Sequence, residues 1–193
     1  MSTIIFGDYK ESVVDRLNHF AIHINAQNVS LRWSQCDLMA GFIASYFACF
    51  FPEDESGKES MVDRKDITYS INYIMNELVE NAVKFRSSGD INISSGLFDQ
   101  EIVFLVKNMI ASTQVPVFQK MLREITDGNP GDLLIQRIED NVKEDNDTGS
   151  GLGFLTMMND YEVKLGWHFE DCARDADSLW IGTMARLKTR KEE

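Results

Sequence analysis

Gly149-Ser150-Gly151-Leu152-Gly153 places three glycines within five residues, directly ahead of an apolar helical run. Glycine at this density weakens helix and strand alike and admits conformations that other residues avoid. The chain must therefore break here, and a helix opening near Leu152 begins with backbone N–H groups that have no partner within the helix. Glycines that let a ligand approach the backbone, followed by such donors, make an anion site suited to phosphates. A flexible glycine loop without a ligand is the plain alternative. The spacing is GxGxG and no strand precedes it, which argues against a dinucleotide-binding turn, and no Lys-Ser/Thr follows the glycines, which excludes a P-loop.

Hydrophobic periodicity organises the rest of the chain. Asp8–Gln27 reads as an amphipathic helix, with Val13, Leu17, Phe20, Ala21 and Ile24 at helical spacing. A short extended piece follows at Val29–Trp33. Ser34 opens a second helix, with Asp37 three residues on as in a capping box. A breaker-rich loop from Phe51 to Lys58 separates it from a third helix, Asp66 to about Phe85, with a core stripe of Ile67, Ile71, Ile74, Leu78 and Phe85. Ile91–Leu97 and Glu101–Lys107 read as a hairpin. Val115–Lys143 is helical, broken at Gly128-Asn129-Pro130-Gly131. A helix over Leu152–Asn159 and two strands, Tyr161–Glu170 and Ser178–Leu187, complete the pattern. Strand pairs joined by short turns predict a mixed, mainly antiparallel sheet with helices on one face, a two-layer α/β sandwich of the α+β class.

The third helix carries Asn76-Glu77-Leu78-Val79-Glu80-Asn81-Ala82-Val83-Lys84-Phe85. Glu77, Asn81 and Lys84 fall within roughly 60° of arc at about 100° per residue. They border the Ile74/Leu78/Phe85 stripe instead of lying opposite it. A carboxylate, an amide and an ammonium thus line one edge of the buried face. An ordinary cluster of surface pairs at these spacings is the competing reading.

An E-x-x-x-N-A-x-K helix, a hairpin, a helical insert, G-x-G-L-G opening a helix and a terminal hairpin together resemble the GHKL (histidine-kinase-like) ATPase superfamily, with its Bergerat fold. The resemblance covers about Ile67 to Leu187. The helix motif resembles that family's N box, the glycine run its second glycine box, and Gly182-Thr183 its Gly-Thr near the adenine. What the resemblance implies is an ATP·Mg²⁺ site. Asn81 would bind Mg²⁺, Glu77 would act as general base or orient the attacking hydroxyl, and Lys84 would contact a phosphate. Gly149, Gly151, Leu152 and Gly153 would form the end of an ATP lid, and Thr183 would support the base-binding end. The stretch from about Ile110 to Asn146 would then be the lid, mobile without nucleotide and hinged near Thr148–Ser150. The family's D-x-G-x-G box is missing after the second hairpin strand. Asn108 is the substitute there, since an amide can both accept from and donate to an adenine edge.

Within the superfamily, the histidines do not match a sensor-kinase phosphorylation site: Phe20 follows His19 and Ile24 follows His23, where an acidic residue is expected. The chain resembles the stand-alone anti-sigma-factor serine/threonine kinases of bacterial partner switches, including the SiaB-like protein kinases. That resemblance implies a homodimer that phosphorylates a small antagonist-type partner or engages a sigma factor. The alternative is a degenerate GHKL module that binds nucleotide and regulates a partner by sequestration without phosphotransfer. The expected organisation is an N-terminal helical dimer or partner region over 1–62, an ATP-binding core over 63–188 and a charged tail over 189–193. The apolar run Leu38–Phe51 is either the dimer surface or core.

Charge limits the partners. With 19 Lys and Arg against 31 Asp and Glu, the formal net charge is −12. Such a surface repels nucleic-acid phosphates and anionic membranes. Cys36, Cys49 and Cys172 form no CxxC pair and read as thiols of a reducing compartment. His19 and His23 lie four apart, but no Cys or carboxylate nearby completes a zinc set. Residues 1–12 lack a basic start and a long apolar stretch, so no secretory signal is expected and the location predicted is cytoplasmic.

Overall fold

The structure is a computed structural model and describes residues 4–25, 33–52, 63–87, 89–143, 151–173 and 175–189. The elements in order are β1 (Ile4–Gly7), α1 (Glu11–Val14), β2 (Phe20–Ile24), α2 (Trp33–Ala48), α3 (Arg64–Phe85), β3 (Ile91–Leu97), β4 (Glu101–Ala111), α4 (Val115–Asp127), α5 (Pro130–Lys143), α6 (Leu152–Asp160), β5 (Lys164–Asp171) and β6 (Ser178–Lys188). Gly149 and the hinge expected at Thr148–Ser150 lie outside the described residues.

The strands form one sheet in the order β1-β5-β6-β4-β3-β2. Each pairing is antiparallel, so among the described residues the sheet is wholly, not mainly, antiparallel. Side chains alternate between its faces. Ile102, Phe104, Val106 and Ile110 of β4 join the main core with Ile181, Ala185 and Leu187 of β6 and the buried faces of α2, α3, α4 and α6. Val103 and Leu105 of β4 face the other way with Met184, where Tyr9 and Leu17 cover them. This is the two-layer sandwich expected, with an N-terminal segment over part of the second face.

Helix α3 holds the two layers together. Asp63 accepts a hydrogen bond from the Asp66 N–H at 2.8 Å and caps its start. Ile67, Ile71, Ile74, Met75, Leu78, Val79 and Ala82 are buried, which widens the expected stripe by three residues and leaves Phe85 partly covered. The break between α4 and α5 is also local chemistry. The Asn129 side chain accepts from the N–H groups of Gly131 and Asp132, and Pro130 occupies the first helical position.

The structure corrects the reading of the N-terminal part. Asp8–Gln27 is not one amphipathic helix: a single turn, α1, is followed by β2 on the β3 edge of the sheet. Phe20, Ile22 and Ile24 alternate onto the helix-covered face, opposite Ser95, Ile93 and Ile91. The apparent helical spacing of Val13, Leu17 and Phe20 serves three separate pieces of backbone. Helix α2 begins at Trp33, so Ser34 lies inside its first turn, and the Asp37 carboxylate instead accepts from the Asn76 amide of α3 at 3.4 Å. No helix among the described residues is long and apolar enough to cross a membrane.

On the second face, Arg186 closes the N-terminal segment onto the sheet. Its guanidinium donates to Glu101 at 2.8 and 3.1 Å and to Asp8 at 2.5 Å, and its side chain is 15% exposed. Removing one member of such a group strands the others, so Arg186→Ala should cost about 2 kcal/mol of stability, below the fully buried case because both carboxylates keep some solvent. Urea unfolding measures it; a loss under about 0.5 kcal/mol would make the cluster a surface pair.

Candidate functional site

Helix α6 begins where the glycine run ends. Gly151 is its N-terminal cap in the left-handed region (φ 66°) and supplies no side-chain cap. A residue with a Cβ is strained there. The site is also closed on three sides. A Cβ on Gly151 would meet the Arg137 guanidinium at 2.7 Å, the Met121 sulfur at 3.1 Å and Ile125 at 3.2 Å. Helices α4 and α5 thus press against the junction.

Glu77 approaches from α3. A Cβ on Gly153 would lie 1.7 Å from Glu77 Oε2 and 2.4 Å from its carboxyl carbon, so the carboxylate rests on the Cα of Gly153 itself. Glycine at 153 is what lets a carboxylate stand at the first turn of α6. Leu152, the first residue of α6, is half-buried beside it.

The Glu77 carboxyl is held above the ordinary carboxylate range, first by burial and then by the charge of Glu80, with a hydrogen bond to Tyr73 acting against the rise. Tyr73 lies one turn earlier on α3. Its hydroxyl also pairs with Thr156 of α6, and its ring stacks on Tyr161 at 4.8 Å and 12°. Burial pushes the Tyr73 hydroxyl up to about 12, so it stays protonated and able to donate. Thr156, Tyr73 and Glu77 form a hydrogen-bonded line across the α3–α6 contact. Sequence reading missed Tyr73, although its position four residues before Glu77 puts it on the same helix edge.

One turn after Glu77, the Asn81 amide donates to the Glu77 backbone carbonyl at 2.7 Å. That bond fixes the side chain and uses its donor end, leaving the carbonyl end as the oxygen a metal would take. Lys84 follows on the same edge but is exposed, with its ammonium 5.7 Å from the centre of the Phe85 ring.

Asn108 and Thr183 stand apart from this junction. Both lie on the helix-covered face of the sheet, on neighbouring strands, with Asn108 opposite Ile181 and Thr183 opposite Val106. They are therefore diagonal neighbours. Asn108 is buried, and its amide donates to the Met109 carbonyl at 3.3 Å. The end of α3 reaches the same place, since the Ser87 N–H donates to the Met109 carbonyl at 2.9 Å. An amide in an apolar face beside a half-buried threonine offers the donors and acceptors of a base-binding end.

Two expectations about the surrounding chain change. Strand β4 does not end at Lys107. It continues as a ladder with β6 through Ala111, so Asn108 is a strand residue and not part of a turn. Helix α4 buries Val115, Phe118, Leu122 and Ile125 in the main core. The described part of that stretch, 110–143, is therefore not a single lid. Its first half is a fixed part of the sandwich, and only the part beyond Gly128 packs mainly on α6.

The residues fit a magnesium nucleotide at one end. A carboxylate at the first turn of α6, with an amide oxygen one turn further along α3, is the kind of donor pair a hard cation with phosphates would use, because Mg²⁺ takes few ligands from protein and prefers oxygen. Among the described residues no group of three or more His, Cys, Asp or Glu side chains could hold a metal alone. A cation here would need oxygens from its ligand.

No protein-family model matches the chain, and no curated protein matches it. The structure is similar to a chain in the crystal structure of the SiaB–SiaC complex from Pseudomonas aeruginosa, with a TM-score of 0.62 over 92% of this chain and 95% of that one, at 11% identity. At that identity the likeness shows a shared fold.

Proposed function

We propose that the protein is an ATP-dependent serine/threonine protein kinase acting in a partner switch, and that the Glu77–Asn81–Gly153 junction is its catalytic end. The carrying observation is the Glu77 carboxylate seated on Gly153 at the first turn of α6, one helical turn from Asn81. In this reading Asn81 would hold Mg²⁺ together with the ATP phosphates, and the first turn of α6 would face the phosphates. Glu77 takes the proton of an incoming serine or threonine hydroxyl. The freed oxygen bonds to the γ-phosphorus, the bond to the β–γ bridging oxygen breaks, and ADP leaves with that electron pair. Such a transfer needs positioning and charge compensation above all. Burial and Glu80 raise the proton affinity of Glu77, which brings it closer to that of a base working near neutrality. Gly151 and Leu152 would hold the phosphates, Asn108 and Thr183 the base, and Lys84 an outer phosphate. The shared fold with a chain of the SiaB–SiaC complex supports a partner protein as the acceptor.

Calorimetry with ATP·Mg²⁺ tests the site. Asn81→Ala should weaken binding at least about 10-fold, equivalent to roughly 1.4 kcal/mol. Equal binding by wild type and variant would remove Asn81 as the metal ligand.

A second reading has its own observation. The β4 ladder runs through Ala111 where the resembled family has a glycine-rich turn, so the base-binding end is a rigid strand. In that reading the protein regulates its partner by sequestration, with or without nucleotide. ATP·Mg²⁺ binding without label transfer from γ-labelled ATP to a co-purified partner would favour it.

A further inference from the structure

Helix α6 meets Glu77 twice. At its first turn, Gly153 lies under the carboxyl group. Further along, Thr156 and the C-terminal cap Tyr161 hold Tyr73, and Tyr73 holds Glu77. Tyr73 precedes Glu77 by one turn of α3. Side chains of a helix lean toward its N-terminus, so Glu77 reaches back over the position of Tyr73. An ionised carboxylate can only accept, so the Tyr73 hydroxyl donates its one hydrogen to Glu77. Its oxygen is then left to accept, and Thr156 donates to it. The direction of the line is therefore fixed, from Thr156 through Tyr73 to Glu77, and each bond in such a line strengthens the next.

The Tyr73 ring is fixed independently of its hydroxyl. Tyr161 lies flat against it, with centroids 4.8 Å apart and planes at 12°. Glu162, directly after Tyr161, takes the left-handed region (φ 52°), alone among the described residues other than glycine. A residue with a Cβ is strained there, and such strain persists only where the surroundings impose it. The turn it makes brings the Val163 N–H back to the Met157 carbonyl at 3.0 Å. Strain is thus held at the residue that places Tyr161, and through it Tyr73. A free Glu carboxylate turns broadly about its last bond and exchanges its two oxygens. A base needs one of them kept toward the group that gives up the proton.

We propose that Tyr73 is the positioning residue of Glu77: clamped by Thr156 and Tyr161, it pins one carboxylate oxygen and leaves the other turned toward the acceptor hydroxyl. The catalytic consequence rests on the reading of Glu77 as the base, whereas the pinning does not. The ionisable groups that act on Glu77 are Glu80, three residues along α3, and Tyr73 itself, with Tyr161 acting through Tyr73.

Tyr73→Phe keeps the ring and its stack and removes only the hydroxyl. In the nucleotide-free chain, the carbon-13 resonance of the Glu77 carboxyl, assigned by its loss in Glu77→Gln, follows its ionisation. The Tyr73 bond favours the charged form and works against the rise that burial and Glu80 cause. Tyr73→Phe should therefore move the Glu77 midpoint to higher pH with a near-native melting temperature. Thr156→Val should move it the same way by less, and it carries the test alone if Tyr73→Phe loses its fold. In turnover, Tyr73→Phe should lower kcat about 10–100-fold with the KM for ATP·Mg²⁺ within about 2-fold, the split expected of a displaced reacting group. A midpoint unmoved by both variants overturns the proposal, whatever turnover does. A midpoint that moves while kcat stays at the wild-type value overturns the positioning role. A midpoint that moves in a chain with no transfer activity supports the pinning and overturns only the kinase reading.

Discussion

Replacing Glu77 by Gln should slow phosphoryl transfer by on the order of 10²–10⁴-fold, the usual loss on removing a general base, while ATP·Mg²⁺ binding stays intact. The measurement is release or transfer of label from γ-labelled ATP, with water or a co-purified partner as acceptor. Stability should not fall with it. A carboxyl whose folded pKa is raised binds its proton more tightly folded than unfolded. It therefore favours the fold at low pH and opposes it as pH rises through the raised value. The amide of the Glu77→Gln variant cannot ionise, so the variant should be as stable as wild type near neutrality, or more so. The same shift fixes the pH profile: the rate should rise with pH through a midpoint above the ordinary carboxylate range, and the Gln variant should lose that limb.

Gly153→Ala separates this role from a bystander carboxylate. The new methyl would occupy the place of the carboxyl group, with 1.7 Å to Oε2 and 2.4 Å to the carboxyl carbon. Those atoms end a flexible side chain, so the carboxylate swings away and the fold survives. Position 153 lies inside α6, where alanine is the better helix former. The expected pattern is a near-native melting temperature with a rate loss matching that of Glu77→Gln. Unchanged turnover in both variants would remove Glu77 from the chemistry.

What the sequence disclosed follows from how local each signal is. Helix α3, the break at Asn129-Pro130, the start of α6 and both hairpins carry their causes within a few residues: a stripe, a cap, a glycine, a short turn. The edge strands do not. β1 and β2 are four and five residues long, and each exists because a distant strand, β5 or β3, offers it a ladder. The alternation of Phe20, Ile22 and Ile24 was present, but the residues before it continued a plausible helical spacing. β4 outran its expected end for the same reason. Asn108 is a poor strand former, and pairing with β6 overrides that preference. At the site, the motif placed Glu77 and Asn81 on one helix edge. Only the folded chain sets Glu77 on Gly153 and adds Tyr73 and Thr156 behind it.

Gly166→Ala should be the most damaging single methyl among the described residues. Gly166 lies on β5, on the face of the sheet away from the main core, opposite Gly7 and Met184. The chain leaving β1 crosses directly over it. A Cβ there would lie 2.1 Å from the Tyr9 nitrogen and 2.5 Å from the Asp8 carbonyl carbon and Tyr9 Cα, all backbone. That backbone cannot step aside, because the Asp8 N–H donates to the Leu165 carbonyl at 2.8 Å and Arg186 holds the Asp8 carboxylate. Lifting the segment would break both bonds, undo the stacking of Tyr9 on His168 and uncover Val103, Leu105 and Met184. The loss should be about 3–5 kcal/mol, in the range of overpacking against backbone combined with a broken, partly buried pair. Gly182→Ala is the control. It adds the same methyl on the neighbouring strand, opposite His168, where the nearest atom is Leu105 Cδ1 at 3.3 Å, an end that can shift. It should cost less than about 1 kcal/mol. Urea unfolding gives both values, and hydrogen exchange locates the damage. Protection in the Gly166 variant should vanish first at residues 4–17 and persist in α3 and β4, because the main core on the other face is untouched. Equal losses for the two variants would mean that the N-terminal segment does not cross β5 as described.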